Sequence, residues 1–174
     1  WNSAQTVTVT GVDDNLIDGT ITSNITIAVL DETSDNAFDS LSNQTVSATT
    51  TDNDVAGFTV TQSGGSTSVS ESGTTDTFTI VLNAQPASDV VLSISSSDTG
   101  EATVTSLLSF TSSNWNSAQT VTVTGADDNL VDGTQNSTTS ITVVDVISDD
   151  SFDSVADQTV SVTTTDNDVA GFTI

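Results

Sequence analysis

Thr120-Val121-Thr122-Val123-Thr124 alternates polar and apolar side chains with a period of two, and similar alternation recurs along much of the chain. Successive side chains of an extended strand point to opposite faces, so Val121 and Val123 share one face and the threonines share the other. Runs of this kind predict a split first strand over Gly57–Thr61 and Ser66–Ser70. Further strands are predicted over Thr75–Leu82, Asp89–Ser95, Ala102–Phe110, Ala118–Thr124, Ser140–Val146 and Thr159–Thr165. Turn formers punctuate them at Gly64-Gly65, Pro86, Gly100, Gly125 and Gly133. No segment carries a helical period of useful length. The large apolar residues Phe78, Phe110, Phe152, Phe172 and Trp115 are the expected core, with Trp1 and Trp115 packing at sandwich ends rather than serving as ligand platforms. The threonine rows read as the solvent face of ordinary strands, where Thr suits a pleated surface.

Self-similarity sets the organisation. Trp1 to Gly11 recurs as Trp115 to Gly125, and Thr51 to Thr59 recurs as Thr165 to Thr173. At this offset of about 114 residues, about 42 of 60 aligned positions are identical. A period that long is a domain rather than a solenoid turn. Residues 1–54 are therefore expected to be the back part of one repeat, 55–168 a complete repeat, and 169–174 the first strand of the next. About seven antiparallel strands in such a repeat predict an all-β fold, an Ig-like antiparallel β-sandwich with one core.

Composition narrows the chemistry. There are 24 Asp and Glu residues and no Lys, Arg, His or Cys, for a net charge of −24. Without basic residues the chain lacks the groups that bind phosphate, which argues against nucleic acid and against docking to anionic lipid. No apolar run approaches the roughly 18 residues of a membrane span. Catalysis by Cys, His or Lys is excluded by inventory, and a carboxylate pair of the glycosidase kind lacks its usual aromatic cleft. The expectation is that the chain is not an enzyme. Asn24, Asn43 and Asn136 fit the N-glycosylation pattern, which matters only in a host that has the machinery.

The acids fall in clusters. Asp127, Asp128 and Asp132 follow one strand, Asp166 and Asp168 end the last strand, Glu71 closes the split first strand, and Asp98 lies in a turn. In an Ig-like sandwich, loops after alternate strands gather at one end. These carboxylates would then meet with no side-chain cation available to offset them. Calcium suits such a group, since it takes about six to eight oxygens in flexible geometry. Zinc does not, with no His or Cys present. The plainer alternative is that the aspartates only make turns. Asp145, Asp149, Asp150 and Asp153, paralleled by Asp31, Asp35 and Asp39, read first as a solvated loop and only second as another metal site.

At these residues the chain resembles the Calx-β domain of sodium/calcium exchangers, integrin β4 and very large bacterial surface proteins. Glu71 matches the family's Glu at the end of the first strand, and Asp98 its Asp in a mid-domain turn. Asp127-Asp128-Asn129 with Asp132 match its acidic run, and Asp166-Asn167-Asp168-Val169-Ala170-Gly171 its closing motif. Asp13, Asp14, Asp18, Asp52 and Asp54 repeat the second half of that pattern. The resemblance implies several Ca2+ ions at one tip of the sandwich, with the Leu130 backbone carbonyl contributing. Asn129 and Asn167 depart from the family's aspartates and lower the charge there. The Trp-Asn-Ser-Ala-Gln-Thr-Val-Thr-Val-Thr-Gly phrase looks most like giant repetitive bacterial surface proteins.

The functional expectation is a structural tandem-repeat segment of an extracellular surface protein, an adhesin stalk whose junctions Ca2+ rigidifies. Its partners would be neighbouring repeats of the same chain, with the adhesive target elsewhere. One alternative is a filament or sheath subunit that assembles with copies of itself by strand exchange. Another is a calcium-sensing regulatory domain, which near-identical tandem copies disfavour.

Overall fold

A computed structural model describes residues 2–173. Trp1, expected at a sandwich end, lies outside them. The described chain divides into two compact units, one up to Asn53 and one from Asp54.

The first unit holds a single antiparallel hairpin, β1 (Ile21–Ile27) and β2 (Gln44–Thr50), in a register that sets Ile21 opposite Thr50 and Ile27 opposite Gln44. A short 3-10 turn at Asn36–Phe38 lies in the connection, and the Asp35 side chain caps it by accepting the Ala37 amide.

The second unit is a two-layer sandwich. One sheet runs β3 (Phe58–Gln62), β5 (Thr75–Leu82), β9 (Gln119–Gly125), β7 (Ala102–Val104). The other runs β4 (Thr67–Ser70), β11 (Gln158–Thr165), β10 (Gln135–Val143), β6 (Val90–Ser96), β8 (Leu107–Phe110). Every pairing is antiparallel except β4 with β11, which is parallel. The alternation read from the sequence holds. Phe78, Ile80 and Leu82 of β5 and Val121 and Val123 of β9 are buried on one inner face. Val90, Leu92 and Ile94 of β6, Ile141 of β10 and Val160 and Val162 of β11 are buried on the other. Burying each such side chain is worth about 1.5–3 kcal/mol. The all-β, Ig-like sandwich expected from strand spacing is the fold observed.

Several details differ from the sequence reading. The stretch expected as one strand over 102–110 breaks at Thr105-Ser106 into β7 and β8, which join opposite sheets. The penultimate strand begins at Gln135 rather than Ser140 and ends at Val143, because the chain then turns through 3-10 segments at Asp145–Ile147 and Asp150–Phe152. Its polar inner residues Ser137 and Thr139 hide the apolar alternation that would have marked it. Phe78, Phe110 and Phe152 are buried as expected, while Trp115 is only half-buried. Phe172 is corrected: it is 91% exposed, whereas Phe58, its counterpart one repeat earlier, is 3% exposed. The difference is pairing. Phe58 opens β3 opposite Leu82 of β5, and among the described residues no strand pairs with the chain around Phe172.

Candidate metal centre

Strand periodicity carries acids into one end of the sandwich. On β4 the inward positions are Thr67 and Val69, and the next in the same series is Glu71, 1% exposed. On β11 the inward series Val160, Val162 and Thr164 continues to Asp166. The parallel register sets Thr165 opposite Ser70, so one step further sets Asp166 beside Glu71. The Glu71 amide donates to the Thr165 carbonyl at 3.2 Å, and the Asn167 amide donates to the Glu71 carboxylate at 3.1 Å.

Two further segments are tied to this pair. Ala126 donates its amide to the Glu101 carbonyl at 2.8 Å, and the Gly125 amide donates to the Thr74 carbonyl at 3.0 Å. A β-carbon on Gly125 would lie 2.1 Å from the Ser70 carbonyl oxygen, so only glycine lets β9 come this close to the Glu71 turn. The loop after β9 is then pinned from both sides. The Asp128 carboxylate accepts the Leu130 amide at 2.6 Å, and Asp166 accepts the Gly133 amide at 2.7 Å. Asn167, which stands where the resemblance would place an aspartate, donates its side-chain amide to Asp127 at 3.1 Å.

The outcome is two overlapping groups of carboxylates. Glu71, Glu101 and Asp132 each place an oxygen within 4.8 Å of the others, and so do Glu71, Asp166 and Asp168. Glu71 belongs to both. Asp127 joins Glu71, Ser72, Gly73 and Gly125 in lining an open groove of about 230 Å³. One oxygen each of Glu71, Glu101 and Asp168 is buried without a hydrogen-bond donor. A buried carboxylate oxygen with no donor is costly.

The titration of these groups follows from the crowding. For Glu71, the Asn167 amide favours the charged form. Loss of hydration and the charges of Asp166, Asp128 and Asp132 outweigh it and raise the pKa above the ordinary 4.5. Glu101 is raised by burial first and then by Asp132, Glu71, Asp98 and Asp128. Asp168 is raised by burial and then by Asp166, Asp127, Asp128 and Asp132. Asp166 goes the other way, because the amides of Asp168 and Gly133 donate to its carboxylate. The donor set is all oxygen and anionic, and it includes orphaned buried oxygens. It fits a hard divalent cation and offers nothing to a soft one.

The structure distributes the sequence-derived candidates unevenly. Glu71, Asp132, Asp166 and Asp168 come together, with Asp127 and Asp128 at the rim. Leu130 is 62% exposed, and its amide holds Asp128. Asp98 stays in its own turn, accepting the Gly100 amide at 2.9 Å, and it is Glu101, three residues on, that joins Glu71. In the first unit, Asp14 accepts the Leu16 amide at 2.8 Å. Asp52 accepts the amides of Asp18 and Gly19 at 3.0 and 2.8 Å, matching Asp128 with Leu130 and Asp166 with Gly133. Asp13 and Asp18 are exposed, and Asp54 belongs to the second unit. Among the described residues, Asp13, Asp14, Asp18 and Asp52 form no group of three within 4.8 Å. The positions one repeat before Glu71 and Glu101 precede residue 1. The second acidic cluster is organised by Asp149, whose carboxylate accepts the amides of Ala87 (2.7 Å), Ser88 (2.8 Å) and Ser151 (3.0 Å). Burial alone would raise the Asp149 pKa, but these donors lower it on balance. That carboxylate is a loop anchor.

No protein-family model matches the chain, and no curated protein sequence matches it. Among solved structures it is similar to the E. coli chaperone DraB at 8% identity and TM-score 0.45, over 66% of this chain and 59% of that one. It is similar to domains 4 and 5 of the S-layer protein SbsC at 22% identity and TM-score 0.44, over 71% of this chain and 52% of that one. It is also similar to the apo form of the Calx CBD1 domain at 13% identity and TM-score 0.40, over 64% of this chain and 98% of that one. The chain thus spans little more than half the length of the first two.

Proposed function

We propose that this chain is a structural segment of an extracellular repeat array, a stalk whose successive domains are stiffened by Ca2+ held at the Glu71 end of the sandwich. The observation that carries the reading is the convergence of Glu71, Glu101, Asp132, Asp166 and Asp168, with orphaned buried oxygens, in a chain with no basic side chain. Glu71, Glu101, Asp132, Asp166 and Asp168 would hold the ion, with Asp127 and Asp128 at its open side. The ion supplies positive charge that nothing in the chain supplies, and it removes the mutual repulsion of the carboxylates.

The stiffening follows from where the acids sit in the sequence. Asp166 and Asp168 end the last strand of one repeat, and Val169 to Thr173 repeat the residues that open β3. An ion bound there clamps the loop after β9 and the turn after β4 to the stretch of chain that leads into the next repeat. A ligand that binds only the folded form stabilises it by mass action, by about 2.7 kcal/mol at a concentration one hundred times its Kd. Such an array projects whatever lies beyond it and catalyses nothing. Absence of Lys and Arg also removes every trypsin-type cleavage site, which suits an exposed stalk.

Solution scattering with and without calcium tests this reading. In millimolar calcium a chain in which two complete repeats like residues 55–168 follow one another should give a narrow distribution of dimensions. Excess chelator should broaden that distribution and lower the melting temperature. Identical scattering and melting in the two conditions would refute the stiffening.

A further inference from the structure

The chain enters and leaves the second unit at opposite ends of the sandwich. Phe58, which opens β3, pairs with Leu82, at the end of β5 away from the Glu71 cluster. Beside it the Asn83 amide donates to the Gly57 carbonyl at 2.9 Å. The exit is at the other end, where Thr165 closes β11 next to Ser70 and Glu71. Tension along the chain therefore draws β3 and β4 one way and β11 the other, each along its own axis. Between β3 and β4 the chain steps from one sheet to the other through Gly64 and Gly65, whose φ angles of 62° and 82° favour glycine. Asp76 of β5 holds that step from both sides. Its carboxylate accepts the Ser63 hydroxyl before the glycines and, at 2.9 Å, the Ser68 amide after them. Load then passes into β4 instead of straightening the step.

The two oppositely pulled strands meet directly at β4 and β11. These run parallel, from Thr67 beside Val162 to Ser70 beside Thr165. The Glu71 amide extends the ladder to the Thr165 carbonyl at 3.2 Å, and the Thr165 hydroxyl reaches back to the Val69 carbonyl at 3.4 Å. Thr67, Val69, Val162 and Thr164 are buried, so on the inner face water does not replace these bonds as they stretch. Interstrand hydrogen bonds run across the strands. Opposed pulls along the strands load all of them together, whereas a pull at right angles breaks them one after another. We infer that the β4–β11 ladder is a load-bearing clamp, which makes this sandwich resist stretching along its chain. On its far side β11 is held by β10 along a longer run, from Thr164 beside Gln135 to Gln158 beside Ile141. The Gln158 side chain also donates to the Phe58 carbonyl at 2.7 Å, tying the start of β11 to the start of β3. If β3 slides off β5, the load falls on β4 and β11 alone. The stalk reading supplies only the source of the tension, and the ladder itself needs no cation.

Single-molecule pulling on the full chain in excess chelator tests the clamp. The handles attach through paired cysteines, which the chain otherwise lacks. Val55→Cys with Val169→Cys pulls along β4 and β11 and loads the ladder in shear. Ser72→Cys with Val169→Cys pulls the same ladder open from its Glu71 end. All three positions are exposed, so neither pair disturbs the core. At equal loading rate the shear pair should need about twofold or more the force of the opening pair, since forced unfolding follows the barrier along the direction pulled. Equal forces, or a smaller force in shear, would overturn the clamp. Working in chelator separates this outcome from the calcium reading, which the scattering comparison decides.

Discussion

Glu71 and Asp166 stand side by side because β4 and β11 run parallel, in a register that carries both past the ends of their strands on the inward face. Two carboxylates held together by backbone hydrogen bonds cannot relax apart by moving side chains alone. Glu71→Gln keeps the shape and removes one charge. Melted in chelator, this variant should be at least as stable as the parent. Calcium should raise its melting temperature much less, with affinity lowered tenfold or more, or about 1.4 kcal/mol. Calorimetric melting of both proteins in calcium and in chelator checks this.

The pH response of the cation-free protein has a definite sign. The pKa values of Glu71, Glu101 and Asp168 are raised in the folded state. Their contribution is fully present below the unfolded values, near 4.5 for Glu and 3.8 for Asp, and is lost as pH rises through the folded values. Asp166, Asp149 and Asp76 are lowered. Their contribution is present above the unfolded value and lost as pH falls through the folded one. In chelator, stability should therefore peak at mildly acidic pH and decline toward neutrality. Saturating calcium should remove the decline on the neutral side. Melting temperature against pH, with and without calcium, measures it.

Glu101 and Asp98 separate the two assignments of the mid-domain acid. Glu101 reaches Glu71, while Asp98 is engaged with the Gly100 amide. Glu101→Gln should weaken calcium binding about tenfold or more, and Asp98→Asn should change it by less than about threefold. Titration calorimetry on the two variants distinguishes them.

Asp149 should behave as structure alone. Replacing it with Ala leaves the amides of Ala87, Ser88 and Ser151 without their acceptor. The expected cost is about 3 kcal/mol, from lost cap and unsatisfied donors. The calcium-induced rise in melting temperature should be preserved. Denaturant unfolding in both conditions tests both halves.

The sandwich was legible where alternation is apolar, as in β5, β6 and β9. It was illegible where inward positions are Ser and Thr, as in the first half of β10. The break between β7 and β8 left no mark, because Thr105-Ser106 suits a strand as well as a bend. In the candidate site, Asp127, Asp132 and Asp166 are legible because they fall in short acidic motifs that recur in the hairpin unit. Glu101 falls in no such motif, because it stands alone after a Gly turn. A signal was available: it is one of three Glu in a chain of 24 acids. Asp is a common turn former, so turning alone explains a Glu beside a turn less readily than it explains an Asp.

Titration of the intact chain with calcium by isothermal calorimetry, at neutral pH after exhaustive chelation, tests the cation centre most directly. Saturable binding that Glu71→Gln and Glu101→Gln both weaken is the expected result. No saturable heat up to millimolar calcium, or binding indifferent to both substitutions, would contradict it.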